Sequence, residues 1–575
     1  MRRIKMFSVI ICVAIVTTSS FYGCQKVKKS EKSENTTKEQ SEVSLQEKDD
    51  EQYLNVLLGA EPKSIDPSKA TDIYSSVIYT NTQECLTRVI QDENGNDKVI
   101  EGLAQSWEKS DDGLTWTFHL RDAKWSDGQP VTAEQFVYGI TRTLNPDTAS
   151  RYSYILYPIK NAQEYNEKNA SVEDVGVKAL DDKTLEIKLK APCPFFLDIT
   201  YSKTMGPQRK DIVEKYGDTY GTECSNMVYS GPFKISDWTH NSKVELSKND
   251  EYWDSESVTL DKITMKVIAE ESARMQELYA GSLDMAGVNK PEWIKKFDDS
   301  KKFYVATGYN SAVAYTFFNQ SKEIDGKINV FSNAKIRKAF SIVQKREEKI
   351  DVLRKGLGDA AYGFVPKKVL IDNKEYRELF DKQPVQKLID ENKDPKALLI
   401  EGLKELGLGD DPSQISIKYL YAGTDSNSKE WAEYDQQNYE QTLGVKIDIE
   451  YVEWAMFTER TNNLEYQMAS QSMYGDYNDP DTYITCWASN FGLLPVAWKN
   501  EKFDKIVAEA AVCQDPKKRS ELFMEAEEIL VYEDAVCAPE AYMFKKTYIA
   551  NYIKNYNSPL FGFADYKYTY TQGRK

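Results

Sequence analysis

The chain of 575 residues is 41% hydrophobic and 29% charged, and it carries a formal net charge of −17. A single hydrophobic core does not grow to this size, so two or three folded domains are expected. The acidity excludes nucleic acid as a partner, because phosphates demand a basic footprint.

Residues 1–23 read as a targeting segment. Arg2, Arg3 and Lys5 form a basic start, and 6–16 is an apolar run too short to cross a bilayer as a helix. Gly23-Cys24 then resembles a bacterial lipobox, although Phe21 and Tyr22 depart from its usual aliphatic and small residues. Cys24 is accordingly the expected lipidation site, whose acyl chains would hold the protein at the outer face of the membrane. Residues 24–52 are Lys, Glu, Ser, Thr, Gln and Asp with almost nothing to bury, the composition of a disordered tether. As a flexible coil it would reach about 25–30 Å.

Folded structure is expected from about Leu54 onward. Glu61-Pro62-Lys63-Ser64-Ile65-Asp66-Pro67 comes first. Between 102 and 139 two hairpin strands feed a helix. Trp116, Phe118 and Leu120 alternate with polar residues, as on a half-buried strand. Asp112-Gly113 and Asp127-Gly128 supply the positive φ of tight turns. Thr132 with Gln135 forms a capping box, Phe136, Ile140 and Leu144 share one helix face, and Pro146 ends the run. Tyr229-Ser230-Gly231-Pro232-Phe233-Lys234, Lys248-Asn249-Asp250-Glu251-Tyr252-Trp253-Asp254, Phe317-Phe318-Asn319-Gln320 and the segment 333–340 follow. A strand at 414–421, a helix at 430–443 closed by Gly444 and a strand at 445–451 give a βαβ rhythm, hence an α/β domain. Taken alone, Gly475-Asp476-Tyr477-Asn478-Asp479-Pro480 is a polar turn in which Asp476 suits an Asx-turn.

The residues for catalysis are sparse. The two histidines, His119 on the polar face of a strand and His240 in a polar turn, come with neither a nucleophile nor metal-ligand spacing. GxSxG and GxxxxGK[ST] motifs are missing. Past Cys12 and Cys24, six cysteines remain without CxxC spacing; export would permit disulfides, and buried thiols fit equally well. The 37 tyrosines fit either a compositional bias or an aromatic-lined cleft.

In their order along the chain these segments resemble the signature blocks of the extracellular solute-binding proteins of family 5, the oligopeptide- and dipeptide-capturing subunits of ABC importers. The resemblance covers nearly the whole chain from Leu54, and the 475–480 loop resembles that of the oligopeptide-binding branch. It implies an α/β fold, a two-lobed clamp of the periplasmic-binding-protein type II with an extra inserted domain. Lobe I would use 53–83, 229–310 and 543–575, the inserted domain 84–228 and lobe II 311–542, with crossings near Phe317 and Tyr542 as the hinge. It implies no enzymatic activity and no cofactor. Its partners would be an oligopeptide, the permease and ATPase subunits and, through the lipid, the membrane of a Gram-positive cell; the protein would be a monomer.

By the same resemblance Asp476 would pair with the peptide's α-ammonium. Ser472 and Tyr474 would offer their backbones for strand pairing, and Asn478, Tyr315, Thr316, Tyr542 and Tyr152 would complete the ligand contacts. Trp487, Trp498 and Trp454 suit pocket walls or core alike. The sequence departs from well-known relatives at 470–474, which lacks Arg, Trp and Cys, and at 314–316, which lacks an acid, so the disulfide joining those segments in such relatives cannot form. Alternative ligands within the family are oligosaccharide, nickel chelate, haem and a signalling peptide pheromone. A surface hydrolase lacks its nucleophile motif here, and an adhesin array its repeats.

Overall fold

The computed structural model describes residues 47–92, 95–288, 290–491 and 494–574. The targeting segment, Cys24 and the tether up to residue 46 lie outside these. The last tether residues are pinned to the C-terminal end: Asp49 N–H donates to Thr571 O at 3.1 Å, and the Asp49 carboxylate accepts from Gly573 N at 2.7 Å. Gln52 is buried, its amide donating to Thr571 O at 3.0 Å. Short polar side chains that cap backbone groups order this stretch despite its composition.

Trp116, Phe118 and Leu120 are all buried on strand Thr115–Leu120, which pairs with Ala104–Lys109 and Thr184–Lys188. With Val177–Asp181 they make a four-stranded antiparallel sheet. Helix Ala133–Leu144 starts at the expected capping box, with Thr132 N–H donating to Gln135 Oε1 at 3.1 Å. Its Phe136, Ile140 and Leu144 are fully buried in the core beneath that sheet, each worth about 1.5–3 kcal/mol of apolar burial.

The largest sheet has 11 strands, and four two-stranded ribbons stand apart from it among the described residues. Two long strands run through its middle, Phe303–Phe318 and Cys537–Ala550, antiparallel to each other. Their lower parts pair as Phe303 with Ala550 through Tyr309 with Phe544. The sheet continues on that side through Met285–Gly287, Tyr53–Leu57, Lys262–Lys266, Lys243–Lys248 and Phe233–Thr239. Their upper parts pair from Val313 with Tyr542 to Phe317 with Cys537, and lead on to Met468–Tyr474, Ser416–Ala422 and Lys446–Val452. Between Tyr309 and Val313 the register breaks, setting residues 310–312 against Met543. Buried Asn310 Oδ1 has no partner there.

The βαβ unit is present: Ser416–Ala422 and Lys446–Val452 are parallel, joined by helix Ser426–Leu443, and Gly444 turns the chain at φ +80°. Helices cover both faces in the middle of this upper half, so residues 313–318 and 537–542 are almost wholly buried whichever way a side chain points, while the outer strands keep exposed positions such as Lys418 and Asp448. The six cysteines of the described residues are free; Cys85, Cys193, Cys486 and Cys537 are buried.

Candidate functional site

Strand Met468–Tyr474 pairs with 312–318 along its whole length, but with Ser416–Ala422 only through Ser470. Beyond Ser470 its outer edge is therefore free. Ser472 is exposed there, and Tyr474 is 60% exposed. The chain then turns: Gly475 N–H donates to Ser311 O at 2.9 Å, and Asp476 N–H to Thr482 Oγ1 at 3.1 Å.

The acids of this turn divide sharply. Asp479 holds Arg519 through two bonds of 2.7 Å. Asp481 accepts from Tyr477 and Thr485 hydroxyls, each at 2.7 Å. Asn478 caps Leu370 N–H at 2.9 Å. Asp476 alone has no side-chain partner from its own half of the sheet. Its Oδ2 instead accepts from Tyr154 O–H at 2.7 Å, a residue of the segment around the small sheet. The carboxylate is open to water, yet enough protein surrounds it that burial raises its pKa, against the Tyr154 bond and the charge of Lys203. Open access together with dense surroundings describes a group on the floor of a cleft.

Lys203 faces it from the same side as Tyr154. Its ammonium donates to Ser76 Oγ at 2.9 Å and lies 4.8 Å over the Tyr152 ring. Burial pulls it down to about 8, with Asp72 and Asp476 opposing. Tyr152 and Tyr154 pack together at 6.1 Å, and Phe491 sets its edge against Tyr154 at 6.1 Å. Across the same gap Phe195 stacks on Tyr477 at 4.4 Å.

A second charge faces the free edge. Arg354, the last residue of helix Arg346–Arg354, has no ion pair among the described residues, and its buried Nε has no hydrogen-bond partner. Its guanidinium stacks on Trp431 at 4.9 Å. Burial lowers its pKa, against the influence of Tyr421 and Tyr474.

Asp476, Tyr474, Ser472 and Tyr152 thus come together. Tyr315, Thr316 and Tyr542 go elsewhere. Tyr315 is enclosed among Phe317, Phe364 and Trp487 and accepts from Gln471 at 2.5 Å. Thr316 is buried against Glu540 and Ser470. Tyr542 is buried with its hydroxyl on Gly363 O at 2.9 Å. The cause is the sheet covered on both faces: a strand inside it offers ligand nothing except at its broken end. Trp487 is core and Trp498 bonds Asp534 at 2.8 Å, whereas Trp454 is 59% exposed. His240 bridges Glu61 at 2.7 Å and Glu223 at 3.2 Å, away from this site. Tyr154, Lys203 and Arg354 were not visible in the sequence; the only cue was Tyr152, two residues from Tyr154.

Comparison with known proteins bears on the family and the fold. The sequence profile of the bacterial extracellular solute-binding proteins, family 5 (middle region), matches residues 98–493. The oligopeptide-binding protein OppA of Bacillus subtilis is 33% identical over 507 residues, covering 86% of this chain and 88% of that one. A substrate-binding domain of an oligopeptide ABC transporter from Bacillus anthracis superposes with a TM-score of 0.77 at 30% identity, over 91% of this chain and 99% of that one. Listeria monocytogenes OppA bound to peptide gives 0.75 at 27% identity, over 91% and 99%.

Proposed function

This chain belongs to the bacterial extracellular solute-binding proteins, family 5, which bind solutes and are not enzymes, and on that footing we propose that it captures short peptides outside the cell and delivers them to the permease of an ABC importer. The observation that carries the reading is Asp476, a cleft carboxylate left unpaired by its own half of the sheet and standing at the end of a strand with a free edge. A peptide's α-ammonium takes the place of the Tyr154 hydroxyl on Asp476. Its backbone adds to the free edge beside Ser472 and Tyr474, as strand addition requires. Its carboxylate meets Arg354, whose guanidinium has no acid of its own. Side chains lie in wet pockets, where bridging water tolerates variety. The relatives named for oligopeptide binding support the same ligand class.

In this reading 53–83, 229–310 and 543–575 with the inserted 84–228 form one lobe, and 311–542 the other. They close on the ligand, which stabilises the closed state by its differential affinity, and the bending falls where residues 310–312 lose register with Met543. Cys24 carries the lipid that keeps the protein near its permease and ATPase.

Calorimetry tests the ammonium site. Asp476→Asn weakens a free-amino-terminus peptide at least about tenfold, about 1.4 kcal/mol, a floor beneath the 2–5 kcal/mol typical of truncating one partner of a buried pair. N-acetylation of the peptide does the same to the unaltered protein. Affinities that neither change moves would overturn the assignment.

A further inference from the structure

A second set of charges lies beside the first. Asp198, in the short helix Phe196–Ile199, is partly exposed and has no hydrogen-bonding or ion-pairing side chain among the described residues. Burial, then repulsion from Asp479 and Asp97, pushes it up to about 7. The Tyr201 hydroxyl is buried with no partner, and its charged neighbours are these same two acids, Asp198 and Asp97.

The remaining charges around Asp198 are accounted for. Asp479 is neutralised by Arg519. Asp97 spends both oxygens on the backbone, accepting from Leu560 N–H at 2.8 Å and Phe561 N–H at 2.7 Å. Lys545 reaches Ser558 Oγ at 2.8 Å and forms no ion pair among the described residues; burial lowers its pKa against the attraction of Asp97. Asp97 therefore has an ammonium nearby, whereas Asp198 has no cation paired with it among the described residues. An enclosed carboxylate without a cation is costly, and a cation that also donates to the phenol oxygen removes that cost.

The corner adjoins the Asp476 site on two sides. Phe195, three residues before Asp198, stacks on Tyr477. The Phe561 ring, positioned by Asp97, lies against Gly475, where an added Cβ would meet it at 2.8 Å. Gly475 and Tyr477 are the two neighbours of Asp476 in the chain.

We propose that Asp198, with the Tyr201 hydroxyl and Asp97, forms a subsite for the cationic side chain of a lysine or arginine at the first or second position of a bound peptide. The inference rests on the peptide reading of Asp476 and adds a selectivity that strand addition alone cannot supply, since backbone bonds are blind to side chains. Lysine and norleucine differ here by charge and donors at nearly equal length, which makes them the discriminating pair.

The test is calorimetry on alanine peptides of two to six residues, each prepared with lysine or norleucine at position one or two. At one of these positions lysine binds at least about tenfold more tightly than norleucine, about 1.4 kcal/mol. Asp198→Asn reduces that ratio to below about threefold and leaves the all-alanine peptides bound as before. Tyr201→Phe, which removes one oxygen and keeps the ring, reduces the ratio in part and guards against misfolding of the first variant. Equal binding of lysine and norleucine peptides at both positions overturns the subsite and leaves the peptide reading standing. So does a lysine preference that survives both substitutions. If no peptide of the set binds, the peptide reading itself falls and the subsite with it.

Discussion

Asp476 holds its charge against its surroundings. Burial raises its pKa above the ordinary aspartate value, so the folded protein favours the protonated form more than an unfolded chain does. The sign follows from linkage: above the raised value the ionised group lowers stability, and that loss fades as pH falls through it toward the usual range. Asp476→Asn is therefore expected to raise the melting temperature of the empty protein at neutral pH while weakening peptide binding; a lower melting temperature would contradict the environment described. For the same reason affinity for a free amino terminus should fall on acidification at a higher pH than an ordinary aspartate would give, and Asp476→Asn should flatten that profile between pH 7 and 4.5. From local chemistry alone Asp476 reads as an Asx-turn residue; its proposed ligand role comes from the resemblance of the 475–480 loop. Tyr315 and Thr316 are buried, and nothing local tells a strand that both of its faces are covered. Lys203 and Arg354 reach the cleft through packing between distant segments, which leaves no spacing to read.

The elements that present these side chains make two further predictions. The free edge beyond Ser470 exchanges backbone bonds with a ligand in alternation, so N-methylation of successive ligand amides should alternate between little effect and a loss of about 0.5–1.5 kcal/mol per bond. A uniform loss or none would argue against strand addition. Helix Arg346–Arg354, which ends in the unpaired guanidinium, is fixed by Lys349 bonded to Asp435 and Glu540, both at 2.8 Å, and by Arg346 donating to Pro539 O at 2.7 Å. Lys349→Met leaves two buried carboxylates without a cation and should cost about 3–5 kcal/mol, visible as a lower urea midpoint. Helix Ala133–Leu144 and the βαβ unit were readable because cap, apolar spacing and closing glycine lie within one stretch of chain. The order at 47–52 was not, because it depends on Thr571 and Gly573 at the far end of the chain.

At the scale of the whole molecule, Tyr154 to Asp476 and Phe195 to Tyr477 join the segment around the small sheet to the 475–480 turn. Tyr154→Phe combined with Phe195→Ala removes a hydrogen bond and an aromatic pair worth about 0.5–1.5 kcal/mol each. The radius of gyration of the empty protein in X-ray scattering should then increase, and saturating peptide should restore it. An unchanged radius would mean that other contacts hold the halves together. No local pattern could have paired Phe303–Phe318 with Cys537–Ala550: each reads as a strand, but register between segments so far apart in the chain is set only when the whole sheet assembles.

The lost register at residues 310–312 has a mechanical consequence. A sheet that continues from one half to the other resists parting, because separating its long strands would break a ladder of backbone bonds. It yields most easily where that ladder already has missing rungs. With the second shift between Ala314 and Tyr315, the slip works as a crease between two more regularly paired plates. If the halves part as proposed, opening stores elastic energy there and breaks few bonds, and the stiffness of three residues sets how fast a bound solute is exchanged.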